Sequence, residues 1–234
     1  MTAWLDQKLY PNFERNWDDQ IFRETILRQI RPEMELLDLG AGAGIVEQMN
    51  FRGKATRICG VDLDPRVAQN AFLDEGRVSD AGEIPYPDNS FDLVFSDNVL
   101  EHLAEPEKVF AEVARVLKSG GVFMFKTPNK WHYMPTIARL TPHRFHQYIN
   151  RKRGREEVDT FPTLYRANTK GDVTRLARQS GFEVIQIDRI EGRPEYLRIT
   201  PLTYLLGALY ERLVNAFSLF APFRVLLIGS LRKN

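Results

Sequence analysis

The stretch Leu36-Leu37-Asp38-Leu39-Gly40-Ala41-Gly42-Ala43-Gly44, LLDLGAGAG over residues 36–44, decides how this chain folds. A short apolar run carrying one acid leads straight into three alternating glycines, the pattern of a strand that ends in a turn of bare backbone. Glycine there lets the main chain approach a ligand closely, and a helix starting after the turn would present unpaired amides to it. At the carboxyl end of a first strand, such a turn suits a nucleotide-like cofactor. Its spacing is GxGxG, whereas the dinucleotide fingerprint GxGxxG needs glycine at Ile45 or Glu47, so NAD does not fit. The phosphate-cradling GxxxxGK[ST] pattern is absent as well.

Outward from this loop, short apolar runs alternate with helical stretches. MELLDLG, TRICGVD, GRVSD, SFDLVFSD and GGVFMFKT, beginning at Met34, Thr56, Gly76, Ser90 and Gly120, predict five parallel strands. Runs such as Ile58 to Val61 and Leu93 to Phe95 are apolar at consecutive positions, as in strands covered on both faces. Pro106 opens a crossover helix with Val109, Phe110, Val113, Val116 and Leu117 on one face, and Gly120-Gly121 stops it. Near the N-terminus, Asp18 or Asp19 caps a helix with Ile21, Phe22, Ile26, Leu27 and Ile30 at helical spacing, broken by Pro32. After Asn168 and Thr169 a short helix runs to Gln179 and Gly181 ends it. FEVIQIDRI and EYLRI then read as a hairpin around Gly192-Arg193-Pro194.

The expected fold is α/β, a doubly wound and mostly parallel seven-stranded sheet in one domain over 1–234. Its parts are an N-terminal helical segment (1–34), a cofactor-binding core (35–128), a lid insertion after the fifth strand (129–167), a last helix with a terminal hairpin (168–200) and an apolar tail (201–234). Apolar content of 43% and charged content of 27% are ordinary for a globular chain, and a formal net charge of +1 supports neither nucleic-acid nor membrane binding as a global effect. Cys59 is the only cysteine, so an intramolecular disulfide and a cysteine-rich metal site are excluded. A reducing cytoplasm fits, and the N-terminal residues lack the basic start and apolar stretch of a signal peptide.

A carboxylate at the end of the second strand can accept both hydroxyl protons of a ribose. Asp62 in ICGVDLDP stands there, eighteen residues after Gly44. With this residue the sequence resembles the class I S-adenosylmethionine-dependent methyltransferases, through LDLGxGxG, GxDxxP, DAxxxPxxDxxFDxV and LEH in order from Leu36 to Pro128. The resemblance implies S-adenosyl-L-methionine as cofactor. Asp38, Gly40, Gly42 and Gly44 would lie around its methionine part, Asp62 and Leu63 at ribose and adenine, Asp80 and Ala81 along the adenine, and Ser96 and Asp97 beside the reacting methyl. The [ND]PP[YF] tetrad of methyltransferases acting on base amino groups is replaced by SDNV at Ser96 to Val99, which argues against adenine or cytosine as acceptor.

Methylating a hydroxyl calls for a general base, and histidine is the natural one near neutral pH. His132, close to the fifth strand, is the favoured candidate and His102 the second, with His143 and His146 also in the insertion. Each could equally be solvated or hydrogen-bonded within the insertion. From Lys126 to Arg155 there are eight lysines and arginines and no acid, interleaved with Trp131, Tyr133, Phe145 and Tyr148, which favours an anionic acceptor. The region from TPNKWHYMP through DTFPTLYRANT resembles methyltransferases of bacterial surface-polysaccharide and glycolipid assembly, which implies a glycan or lipid-linked saccharide. In the tail, Leu202, Leu205, Leu206, Leu209, Leu213 and Phe217 form a helical stripe. Glu211, Arg212 and Pro222 break it too early for a membrane span. The stripe fits peripheral contact with the inner face of a membrane, packing on the domain, or a homodimer. Readings left open are a small-molecule methyltransferase acting on a quinone precursor, an RNA-binding protein with a basic aromatic lid, and a cofactor-binding scaffold without turnover.

Overall fold

The computed structural model describes residues 2–13, 16–140 and 162–234. A short helix α1 (Ala3–Leu9) precedes α2 (Trp17–Leu27), whose Phe22 and Ile26 are fully buried against Leu36, Phe51, Phe95 and Met124 on one face of the sheet. Burial of such a side chain contributes about 1.5–3 kcal/mol, enough to hold a short helix that would not persist alone. Asp18 and Asp19 do not cap it. Asn16 occupies that position without a side-chain bond, and both acids sit in the first turn and pair with Lys126.

The five expected strands all form: β1 (Glu35–Leu39), β2 (Arg57–Asp62), β3 (Glu75–Val78), β4 (Phe91–Asp97) and β5 (Leu117–Pro128). They pair in parallel in the order β3-β2-β1-β4-β5. The helix expected after the glycine turn is replaced by a single 3-10 turn at Glu47–Met49. On that side α2 already covers the sheet, and Phe51 plugs the space beneath it with its ring edge-on to Phe95 at 5.2 Å. Arg23 of α2 secures the segment by donating to the carbonyls of Gln48 and Asn50. Another 3-10 stretch, Pro65–Gln69, links β2 to β3.

On the opposite face lie α3 (Pro106–Val116) and, further along the chain, the helix Lys170–Gln179. Proline opens α3 as expected, but the helix stops at Val116 and β5 starts at Leu117, so Gly120-Gly121 falls inside an irregular start of β5. A helix α4 (Tyr133–Leu140) follows β5, and α5 (Lys170–Gln179) begins with the Thr169 hydroxyl accepting the N–H of Asp172. His143, His146 and the run from Arg151 to Arg155 lie outside the described residues.

The terminal hairpin is overturned. β6 (Phe182–Ile190) forms, yet EYL is a 3-10 turn at Glu195–Leu197, and the last strand is β7 (Leu226–Lys233) after helix α6 (Pro201–Ala216). β7 inserts between β5 and β6, antiparallel to both, giving seven strands in the order β3-β2-β1-β4-β5-β7-β6. The sheet is therefore mixed, where the sequence reading expected it mostly parallel. Val225 to Ile228, read as part of a greasy tail, are buried, and Leu227 and Leu231 join the core beside Phe123 and Phe125. A run of alternating residues covered on both faces looks the same in sequence whether it fills a sheet or ends a tail. The leucine stripe of α6 is different, with Leu202, Leu205, Leu206, Leu209 and Leu213 all exposed. No helix among the described residues is long and apolar enough to cross a membrane.

At the centre of β7, a Cβ built on Gly229 would lie 2.3 Å from the ring of Phe125. Gly229→Val should therefore lower stability by about 1–3 kcal/mol through overpacking, read as a shifted urea midpoint, whereas Gly171→Ala, whose Cβ would meet only the Thr169 hydroxyl at 3.7 Å, should move it far less.

Candidate active site

The carboxyl ends of β1, β2 and β4 open onto a cleft of about 460 Å³. Its walls include Gly40, Asp62, Leu63, Asp80, Ala81, Asp97, Asn98, Val99, His102 and Lys108. Parallel strands dispose their carboxyl ends toward a ligand at the point where the order reverses, here between β1 and β4.

The glycine loop is shaped by contacts that no other residue would allow. Gly40, Gly42 and Gly44 have φ of +86°, +50° and +70°, in the left-handed region that favours glycine. A Cβ on Gly40 would lie 2.2 Å from Val99, and one on Gly44 2.2 Å from the side chain of Asn70. Asn70 is buried and donates to the carbonyls of Ala41 and Gly42, clamping the loop from behind. Of the three glycines only Gly40 lines the cleft, while all three border an adjoining depression that shares Gly40 and Asp62 with it and extends to Asp64 and Arg66.

Asp62 accepts the N–H of Gly42 and the N–H of Asp64, both at 2.8 Å. One carboxylate thus ties the glycine loop to the end of β2 and keeps further lone pairs for a diol. Next to it Leu63 is 57% exposed on the cleft wall, an apolar surface that a planar base would cover. Asp80 accepts the Gly82 N–H at 2.7 Å, which fixes the turn carrying Ala81.

Ser96 and Asp97 are separated by the alternation of a strand. Ser96 is fully buried and does not line the cleft, while Asp97 does. Burial pushes the Asp97 carboxyl up to about 7 against the pull of Lys126. Asp38 sits behind the wall, with its carboxyl raised well above the usual range by burial and by the charges of Asp97 and Asp62. Asn98 adopts φ +54°, and its N–H donates to the Lys126 carbonyl, so the chain turns out of β4 at the cleft itself.

Of the four candidate histidines, His132 and His102 lie among the described residues, and the structure separates them. His132 is 1% exposed among the rings of Tyr133, Tyr196 and Tyr210. Its Nδ1 accepts the Met134 N–H at 3.4 Å, its Nε2 faces Glu191 at 3.8 Å, and burial lowers its pKa to about 3. It does not reach the cleft, so it is placed to pack rather than to take a proton from an acceptor. His102 lines the cleft, and its Nδ1 donates to the Pro162 carbonyl at 3.0 Å, since a carbonyl can only accept. In the neutral ring this puts the lone pair on Nε2. That Nε2 lies 3.9 Å from an oxygen of the buried Glu101 carboxyl, which burial raises to about 7 and which accepts from Thr127.

Asn70 and Lys108 carry no motif and were not read from sequence, and Val99 was read only as the end of SDNV; the folded contacts alone reveal what they touch. Asp97 was readable, because period-two alternation sends one member of the Ser96–Asp97 pair each way. Lys126, counted among the basic residues of the insertion, is fully buried against Asp18, Asp19 and Asp97 and belongs to the core side of the site.

Residues 37–125 match the family described as a methyltransferase domain. A protein of Mycolicibacterium smegmatis, named as a probable S-adenosylmethionine-dependent methyltransferase, is 30% identical over 154 residues, covering 64% of this chain and 52% of its own length. The sarcosine/dimethylglycine N-methyltransferase of Halorhodospira halochloris is 32% identical over 190 residues, covering 72% of this chain and 64% of its own length. The chain thus spans between half and two thirds of these curated relatives. Among solved structures, geranyl diphosphate C-methyltransferase from Streptomyces coelicolor, in complex with S-adenosyl-L-homocysteine, superposes with a TM-score of 0.58 at 16% identity, covering 93% of this chain and 79% of that one. At that identity the likeness shows the fold. The matched segment is a methyltransferase domain, and its cofactor is S-adenosylmethionine.

The residues present fit that cofactor. Asp62, Asp80 and Asp97 give an acidic lining to a ligand that carries a sulfonium and an ammonium, Asp62 can receive its ribose, and Leu63 can cover its adenine. Asp62→Ala should weaken S-adenosylmethionine binding by about 10- to 100-fold in titration calorimetry, since hydrogen bonds to charged groups contribute about 1.5–3 kcal/mol. Asn70→Ala touches no cleft atom and should weaken it by about tenfold or less, through the loop alone; normal binding by Asp62→Ala would contradict the ribose assignment.

Proposed function

We propose, from the premise of a methyltransferase domain over residues 37–125, that the whole protein transfers the methyl of S-adenosylmethionine to a hydroxyl of an anionic glycan or lipid-linked saccharide. The observation that carries the oxygen acceptor is His102 in the cleft, held by the Pro162 carbonyl in the tautomer that can take a proton at Nε2, with the Glu101 carboxyl 3.9 Å from that atom. Bound S-adenosylmethionine supplies an electrophilic methyl on a sulfonium, which leaves as a neutral thioether. The chain's part is to position and to deprotonate: Asp62 and the glycine loop hold the nucleoside end, Asp97 faces the cationic end, and His102 accepts the hydroxyl proton as the oxygen attacks.

The anionic character of the acceptor is supported by sequence. Without Lys126, seven lysines and arginines remain between Lys130 and Arg155, still without an acid. Lipid linkage is supported by the exposed leucines of α6, an apolar face of the kind that lies against an acyl surface or a second subunit. An enzyme held this way would work at the inner face of a membrane.

His102→Ala should reduce kcat by about 100-fold or more while leaving cofactor affinity in place, because general-base catalysis contributes about 10²–10⁴. The assay is methyl transfer from labelled S-adenosylmethionine to purified glycans, lipid-linked saccharides and quinone precursors in parallel. Transfer to quinones alone, or unchanged kcat in His102→Ala, would sink this reading of the acceptor. Cofactor binding with no transfer to any class would point instead to a scaffold.

A further inference from the structure

Lys126 is fully buried, although it lies near the end of β5, where a lysine would ordinarily reach solvent. Its ammonium is 3.0 Å from an oxygen of Asp18 and 3.0 Å from one of Asp97, and it also pairs with Asp19. Asp18 and Asp19 come from the first turn of α2, and Asp97 comes from the end of β4, where it lines the cleft. Two further acids feel this cluster: Asp38 on β1 senses Asp97, and Glu101 in the turn after β4 senses Lys126. From β7 the register partner of Lys126 is Ile228, which brings no charge. One ammonium thus serves several carboxylates, and the cluster holds a surplus of negative charge beside the cleft.

We propose that Lys126 is a positioning residue joining α2 to Asp97, so that docking of the N-terminal helix and placement of a cation beside Asp97 stabilise each other. This rests on the methyl-donor reading of the cleft. Without Lys126 the carboxylates of α2 and of β4 would repel one another across the buried gap, and α2 would lose its only ion pairs to β5 among the described residues. With it, all three carboxylates can remain charged provided that more positive charge arrives, and the cationic end of the cofactor supplies it.

The sign of the pH dependence follows. Burial, together with Asp19 and Asp18, raises Asp97 to about 7 against Lys126, so at acidic pH it carries a proton. A bound cation favours the carboxylate, so binding below pH 7 expels that proton. Affinity is full above the raised pKa and falls as pH drops through it, with the dissociation constant about tenfold larger at pH 6 than at pH 8.

Titration calorimetry of the full chain with S-adenosylmethionine between pH 5.5 and 8.5, in two buffers of different ionisation enthalpy, reads both affinity and proton release. Hydrogen exchange on α2 reads its docking. We expect release of about one proton at pH 6, almost none at pH 8, and slower exchange in α2 on binding. Asp19→Asn keeps the contact of Lys126 with Asp97 and removes one repelling carboxylate, so its affinity midpoint should move to lower pH while α2 exchanges faster. Lys126→Met should move the midpoint to higher pH and weaken binding by about tenfold or more at pH 7. If that variant does not fold, Asp19→Asn decides. A flat pH profile without proton release, or an Asp19→Asn variant with unchanged midpoint and exchange, would overturn the coupling alone. Failure of the wild type to bind at every pH would overturn the donor reading as well.

Discussion

A lone ammonium holds three parts of this molecule around one end of its sheet. Lys126 is fully buried, and in water-poor surroundings a charge is tolerated only beside opposite charge. The carboxylates that satisfy it come from the strand that borders the cleft and from a helix near the N-terminus, where Asp18 lies 108 residues before Lys126 in sequence. Around this contact the cofactor end of the fold is assembled: α2 lies over one face of the sheet, and Asp97 is held toward the cleft. The raised pKa of Asp97 is the physical consequence of burial, reinforced by Asp19 and Asp18 and opposed by Lys126.

The glycine loop depends on a second set of contacts, all made by its neighbours. Val99 and Asn70 occupy the volumes where side chains on Gly40 and Gly44 would stand, and Asp62 receives the amide of Gly42. The loop therefore needs no long helix behind it. In its place the chain makes one 3-10 turn and returns to β2, because α2 already covers that face. The amides expected from a helix N-terminus are absent from this arrangement, and the negative lining of Asp62, Asp80 and Asp97 suits a cation better than an anion.

The C-terminal residues divide into two physical roles. β7 completes the sheet from within, inserted between β5 and β6 with Gly229 under the ring of Phe125. The helix before it buries Tyr204 and Ala208 against Leu5 and Tyr10 and turns its leucines outward. An apolar stretch that looked uniform in sequence thus splits into a core strand and an exposed face, because covering both faces of an interior strand requires the same residues that would coat an apolar surface.

The sequence by itself determined the first five strands, the glycine turn, Asp62 at the end of β2 and the methyl-donor domain. The strands, the turn and Asp62 rest on local periodicity or spacing, where chain geometry leaves little freedom, and the methyl-donor domain rests on the resemblance of ordered motifs to a known family. It also carried the information that Ser96 and Asp97 face opposite ways, since alternation along a strand is local. Only the tertiary structure decided that β7 runs antiparallel inside the sheet, that Lys126 belongs to a buried ion cluster rather than to the basic insertion, and that His102 rather than His132 lines the cleft. These are matters of which distant segments meet. Burial, which sets the charge of Asp97 and withdraws His132 from chemistry, is a property of that meeting and not of any residue's neighbours in the chain.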